Sequence, residues 1–216
     1  MSLEPTWYSN LFPAFFAWGG FLSAVSATTL LTVLHRGYPG LEGEITKSRL
    51  HDLGKMVFAF SIFWMYLFFS QYLVIWYGNL GEETHWARLR LIDGWRIPTL
   101  VTVALMFVLP FFGLLSRAAK LFFPTLVLFA TSTIVGLWMH RYLEIYPSIY
   151  GEVGDIPLGI WELGIALGLL GIWGFCYLSF MDAFPRMRVL LMTSPFRDEV
   201  QVPVDPRTME PLPAHE

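Results

Sequence analysis

Two groups of side chains in this sequence put titratable or hydrogen-bonding chemistry at helical spacing. The first is His51-Asp52-Leu53-Gly54-Lys55, followed by Tyr66 and Ser70. At 100° per residue, Asp52, Lys55, Ala59, Phe63, Tyr66, Ser70 and Tyr77 share one stripe that is polar at both ends. An acid and an amine three residues apart form an ion pair, which offsets the cost of holding either charge beside lipid. Three uses fit: anchoring at a membrane surface, lipid-headgroup binding, and the inner mouth of a proton path through His51, Asp52, Lys55, Tyr66, Ser70 and water. Lys55 and Tyr66 lie about 16 Å apart at 1.5 Å rise per residue. Water or side chains of other helices would have to bridge that gap.

The second group gathers Gln71, Tyr72, Trp76, Tyr77, Asn79, Glu82 and Glu83 with His140, Arg141 and Glu144. Thr133, Gly136, His140 and Glu144 fall on one helix face. A quinol headgroup needs a hydrogen-bond partner for each oxygen and an acceptor that titrates near neutrality, which His or a carboxylate supplies. Gln71, Tyr77, Glu82, Glu83, His140 and Glu144 are therefore candidates for an outer quinol or proton-exit site. The competing reading is structural pairing of His140 with Glu144 inside an aromatic belt. Haem could be ligated only by His35 with His51 or His85 with His140, and each stands at a helix end or in a link, so no bound haem or metal is expected. Gln71, in mid-membrane, must find a partner within the protein.

The elements that hold these residues follow from composition. Of 216 residues, 55% are hydrophobic and 14% charged, with 19 Phe, nine Trp and nine Tyr. A soluble domain carries about 25% charged residues, so the solvent for this surface is lipid. One cysteine excludes a disulfide framework or Cys-ligated cluster within the chain. A net charge of −3 argues against nucleic acid. Five apolar runs are long enough to cross the hydrocarbon layer, at residues 11–34, 56–77, 98–116, 121–140 and 158–180. Ten of the 14 basic residues fall in the first and third links and the tail, which predicts an outside N-terminus and a cytoplasmic C-terminus. Residues 1–193 then form an all-α transmembrane domain, and the Pro-rich 194–216 an extended cytoplasmic tail. Small residues at Ala17, Gly20, Ala24 and Ala27, and at Gly164, Gly168 and Gly171, predict close helix packing or, on the other reading, room for a quinone or lipid tail.

His51-Asp52-Leu53-Gly54-Lys55, then Phe60, Trp64, Tyr66 and the run from Ser70-Gln71-Tyr72 to Gly81-Glu82-Glu83-Thr84, resembles the ActF membrane subunit of alternative complex III. That family is a bacterial quinol:electron-acceptor oxidoreductase related to the NrfD and PsrC polysulfide-reductase anchors. Tyr8-Ser9-Asn10-Leu11-Phe12-Pro13-Ala14 and Trp18-Gly19-Gly20 are similar too, and the likeness covers nearly the whole chain while matching only the C-terminal half of family members. It implies a four-helix bundle plus one further helix in the bacterial cytoplasmic membrane, holding no cofactor of its own. Partners would be a second NrfD-like subunit, haem-c subunits and an iron–sulfur subunit, with lipid or quinol at the interface. The implied role is scaffolding and proton translocation, with Asp52, Lys55, Tyr66 and Glu82-Glu83 as the matching positions. Half of a secondary transporter, or a structural anchor, would be the alternatives; a transporter would need a charged mid-membrane site, and no charge stands there.

Overall fold

The computed structural model describes residues 3–4, 7–37, 45–91, 93–151, 157 and 159–183. The expected tail at 194–216 lies outside them. Among the described residues all regular structure is helical, and five helices are long and apolar enough to cross a membrane: Phe12–Gly37, Lys47–Gly78, Arg96–Gly113, Phe123–Tyr150 and Ile160–Ala183. They correspond one to one with the five expected spans. The chain divides into one unit of Met1–Gly37 with Ile45–Leu158 and another of Tyr38–Glu44 with Gly159–Glu216.

In the first unit, α1 (Phe12–Leu34) starts with Pro13 in its first turn, where the missing N–H costs nothing. α2 (Lys47–Gly78) is capped by the Thr46 hydroxyl, which accepts the Arg49 N–H at 3.4 Å. It ends at Asn79, whose left-handed φ of 46° is a residue type's tolerance used as a stop. A short polar helix, α3 (Gly81–Leu91), follows with Glu82 and Glu83 at its positive end and Arg88 and Arg90 at its negative end. The third span is built from α4 (Arg96–Val103), a π-helical stretch at Ala104–Val108 and α5 (Leu109–Gly113). Pro110 lacks the N–H that Met106 would receive, and widening the preceding turn absorbs that loss. After α6 (Arg117–Leu121), α7 (Phe123–Tyr150) completes the unit.

α1 packs against both α2 and α7, and the third span closes on α7. Lipid is as apolar as Leu, so burial supplies little drive here, and close van der Waals fit with buried hydrogen bonds must hold the helices. Gly136 permits one such approach: a Cβ there would stand 2.6 Å from Met106 Cγ in the π-helical stretch. Nearby, Thr133 donates to Ser26 at 2.6 Å, tying α7 to α1 in a fully buried position. Apolar clusters fill the remainder, one around Phe15, Leu22, Trp64, Leu67 and Met106, another around Val25, Val33, Leu50, Val57, Leu114 and Leu126, and a smaller one of Trp95, Tyr142 and Leu143.

Two boundaries differ from the hydropathy reading. α2 begins at Lys47 rather than 56, and α7 runs to Tyr150 rather than ending at 140. Both extensions are polar helix, invisible to a search for lipid-facing runs. His140 is consequently ten residues inside a helix, not at its end.

The second unit contributes α8 (Ile160–Ala183), the fifth span. Its acid, Glu162, accepts the Gly159 N–H at 2.9 Å, so a carboxylate caps the positive end of an otherwise apolar helix. Trp173 stacks on Tyr177 one turn further on, centroids 5.6 Å apart.

Candidate functional site

One end of the first unit holds a cluster of charges assembled from three elements. α3 supplies Arg90, α7 supplies His140, Arg141, Glu144 and Ser148, and the N-terminal segment supplies Glu4. Pro147 explains why they meet. It lies inside α7, and its missing N–H leaves the Leu143 carbonyl without its helical donor. Arg90 Nε fills that vacancy at 3.0 Å. The same guanidinium donates from Nη1 to Trp86 O at 2.9 Å and from Nη2 to Glu144 O at 3.1 Å and Ser148 Oγ at 2.8 Å. Glu4 stands 3.7 Å from it and accepts a hydrogen bond from Ser148. Burial lowers the Arg90 guanidinium to about 10, while Glu4 first and Glu144 second favour its charged form.

Glu144 is shared between two neighbours. One carboxylate oxygen binds Arg141 Nη1 at 2.5 Å, and Arg141 itself lies over the Phe16 ring and donates to Phe16 O at 2.6 Å. The other oxygen faces His140 Nδ1 at 3.6 Å, beyond hydrogen-bond reach. Both of these atoms are fully buried and neither has a hydrogen-bond partner. The His140 ring is fixed edge-on between Phe15, at 4.8 Å, and Trp64, at 5.4 Å. Trp64 Nε1 is likewise buried without an acceptor.

His140, Glu144, Arg90, Gln71, Trp64 and Thr102 are among the residues lining a partly enclosed chamber of about 50 Å³. A water molecule needs about 10–15 Å³ of such space and two or more polar partners. The chamber has the volume but not the polar surface: its wall is apolar, and the unpartnered His140 Nδ1, Glu144 Oε1 and Trp64 Nε1 lie buried behind it. The N-terminal segment holds two of the lining residues: Trp7 stacks on Trp86 with centroids 4.3 Å apart and planes 8° apart, and Ser9 donates to Gln71 Oε1 at 2.6 Å.

The candidates read from sequence separate into two places. Gln71, His140 and Glu144 come together at the chamber. Glu83 joins Gln71 at a second, more open void of about 330 Å³ beside Tyr8 and Ser9. Tyr77 and Glu82 are exposed and belong to neither. Asp52 and Lys55 do form the expected ion pair, at 2.7 Å, but both side chains are more than half exposed. Tyr66 is 60% exposed, and Ser70 and His51 are half-buried. The inward face of α2 is instead Leu50, Gly54, Val57, Ser61, Trp64, Leu67, Gln71 and Ile75. The polar stripe thus faces away from the chamber and does not reach it through this chain.

Sequence reasoning missed Arg90, Glu4 and Ser148. The available signal was Arg90 between Leu89 and Leu91 in a short polar helix, paired with a proline, Pro147, inside an apolar one. Among the described residues no group of three His, Cys, Asp or Glu side chains is arranged to hold a metal ion. Comparison with models of known protein families finds none that the chain matches, and comparison with curated proteins finds no significant match.

Proposed function

We propose that this chain is an integral, multi-pass subunit of a bacterial quinol:electron-acceptor oxidoreductase, and that its His140–Glu144 pair handles protons. The observation that carries the reading is a histidine and a carboxylate buried on one face of a membrane helix, each with an unused polar atom. Ionisable groups inside a membrane are costly and persist where ion or proton traffic uses them. Imidazole and carboxylate exchange protons with water readily, which a structural ion pair does not need. The chamber is too small for a quinol ring, because about 50 Å³ is well below the roughly 300 Å³ at which ligand pockets begin.

The resemblance to ActF-type subunits supports the wider assignment: a four-helix bundle plus one helix, N-terminus outside, holding no redox group itself and seated among haem-c, iron–sulfur and NrfD-like partners. The stripe with exposed Phe63 and Tyr66 beside half-buried Ser70 suits contact with such partners better than contact with lipid, since the Tyr66 hydroxyl in hydrocarbon would lack an acceptor.

Affinity purification of the full chain from its native membrane tests the assignment. Co-purification of haem-c and iron–sulfur subunits is expected; isolation as a lone carrier would overturn it. In the assembled complex, Glu144→Gln should lower the protons moved per electron while electron transfer continues in uncoupled membranes. An unchanged ratio would remove Glu144 from the path.

A further inference from the structure

We infer that the end of the first unit where α2 begins holds an anionic phospholipid, its phosphate among Lys55, Arg117 and Lys120 and its acyl chains along Phe111, Phe112 and Leu115. Lys120 carries the inference. It sits in the last turn of the five-residue α6. Its stem packs so closely on Gly54 of α2 that a Cβ there would stand 3.1 Å from Lys120 Cβ and Cγ, and the residue is only 8% exposed. An ammonium has three N–H donors and no acceptor. The protein answers this one with a ring face, Phe58, at 4.7 Å from Nζ. Among the described residues no hydrogen bond or ion pair reaches it, and a buried charge without a counter-charge is costly.

Its neighbours deepen the need for an anion. Lys55, Arg117 and Lys120 all stand near enough to His51 for their charges to act on its ring, and the acid acting there, Asp52, is already paired with Lys55 at 2.7 Å. Arg36, 3.9 Å over the Phe123 ring, joins the same end. Asp52 offsets one cation; Arg36, Arg117 and Lys120 have no acid of their own among the described residues. What borders the cations makes the anion a lipid. Phe112 and Leu115, just before α6, are exposed, and Phe58, beneath the Lys120 ammonium, stacks on Phe111 at 5.6 Å. Cations clustered at the end of membrane spans attract anionic headgroups, and the adjoining apolar surface suits the chains of the same molecule; a soluble phosphate would leave that surface unused. Phe123 and His140 are about 25 Å apart along α7 at 1.5 Å rise per residue, so this site stands independently of the proton-handling reading.

The test uses the assembled complex, purified from its native membrane and reconstituted in phosphatidylcholine vesicles. A trace of phosphatidylglycerol with a diazirine in its acyl chain is added, the sample is illuminated, and labelled peptides are mapped by mass spectrometry. Label should fall on residues 109–115, and the same diazirine on phosphatidylcholine should label them about fivefold less. Unlabelled phosphatidylglycerol should displace the label; inorganic phosphate should not. Lys120→Met keeps the packed stem and removes its charge, and Arg117→Gln removes an exposed one. Each should lower labelling about fivefold, the weight of one cation at a membrane surface, while Lys120→Arg retains it. Arg88→Gln, an exposed cation on α3, should change nothing. Because Arg117 is exposed, its variant reads the site even where Lys120→Met fails to assemble. Equal labelling by the two headgroups, or labelling indifferent to Arg117→Gln, reduces the contact to ordinary solvation by lipid and overturns the site. Displacement by inorganic phosphate would assign the cations to a soluble anion and overturn the lipid.

Discussion

Replacing Arg90 with Leu tests whether the charge cluster is held as described. The guanidinium serves three backbone carbonyls, but the three are not equally dependent on it. Trp86 O and Glu144 O stand inside continuous helix, where the N–H four residues on is available; Leu143 O faces Pro147 and has no such donor. Arg90→Leu therefore orphans one buried carbonyl, at about 1–3 kcal/mol, and leaves Glu4 largely buried without its cation. Breaking a buried charge pair typically costs about 3–5 kcal/mol, and the two figures agree in scale. For a chain of this length each kcal/mol moves a thermal midpoint by about 2–4 °C, so a fall of roughly 6–20 °C is expected. The assay is thermal unfolding of the detergent-solubilised complex, followed by the loss of its monodisperse chromatographic peak. Two second-site changes should each recover part of the loss: Pro147→Ala returns a donor to Leu143 O, and Glu4→Gln removes the stranded charge. Coupling of about 1–3 kcal/mol is the size expected for residues sharing one network. A fall below about 2 °C, smaller than a single kcal/mol predicts, or strict additivity with both second-site changes, would refute the argument.

Three further outcomes follow from the packing. Gly136→Val drives a side chain into Met106 at the π-helical stretch and should cost about 1–3 kcal/mol as overpacking, read in the same melt. Thr133→Val strands the buried Ser26 hydroxyl and should cost about 1 kcal/mol, with Ser26→Ala in the same chain returning part of it. Asp52→Asn breaks a surface ion pair and should leave the midpoint unmoved; a clear drop would show that the exposed stripe is covered in the assembled complex.

The spans were legible because a helix in lipid must bury all its backbone polar groups within itself and cover them with apolar side chains. Composition alone reveals that, and each of the five helices overlaps its expected apolar run, although α2 starts earlier and α7 ends later than hydropathy placed them. Half of the candidate site was legible as well. Gln71, His140 and Glu144 are polar residues at helical spacing in an apolar chain, so each demanded a partner, and the chamber is where they meet. The stripe of Asp52, Lys55, Tyr66 and Ser70 was equally plain as a pattern. Periodicity, however, tells which residues share a face and not which way the face turns.

Which partners satisfy these groups was decided by tertiary structure. Arg90 lies 53 positions from the carbonyl it fills, and Ser148 lies 144 from the carboxylate it reaches. Nothing local to either residue specifies those pairings. In lipid the apolar surfaces of helices are nearly interchangeable, so orientation is chosen by steric fit, as at Gly136, and by the few polar groups that cannot remain unsatisfied. The sequence by itself determined that five helices are long and apolar enough to cross a membrane and that certain residues need partners. Only the packed structure decided that Pro147 opens a carbonyl toward Arg90, that His140 and Glu144 stand beside a small chamber, and that the Asp52 stripe faces outward.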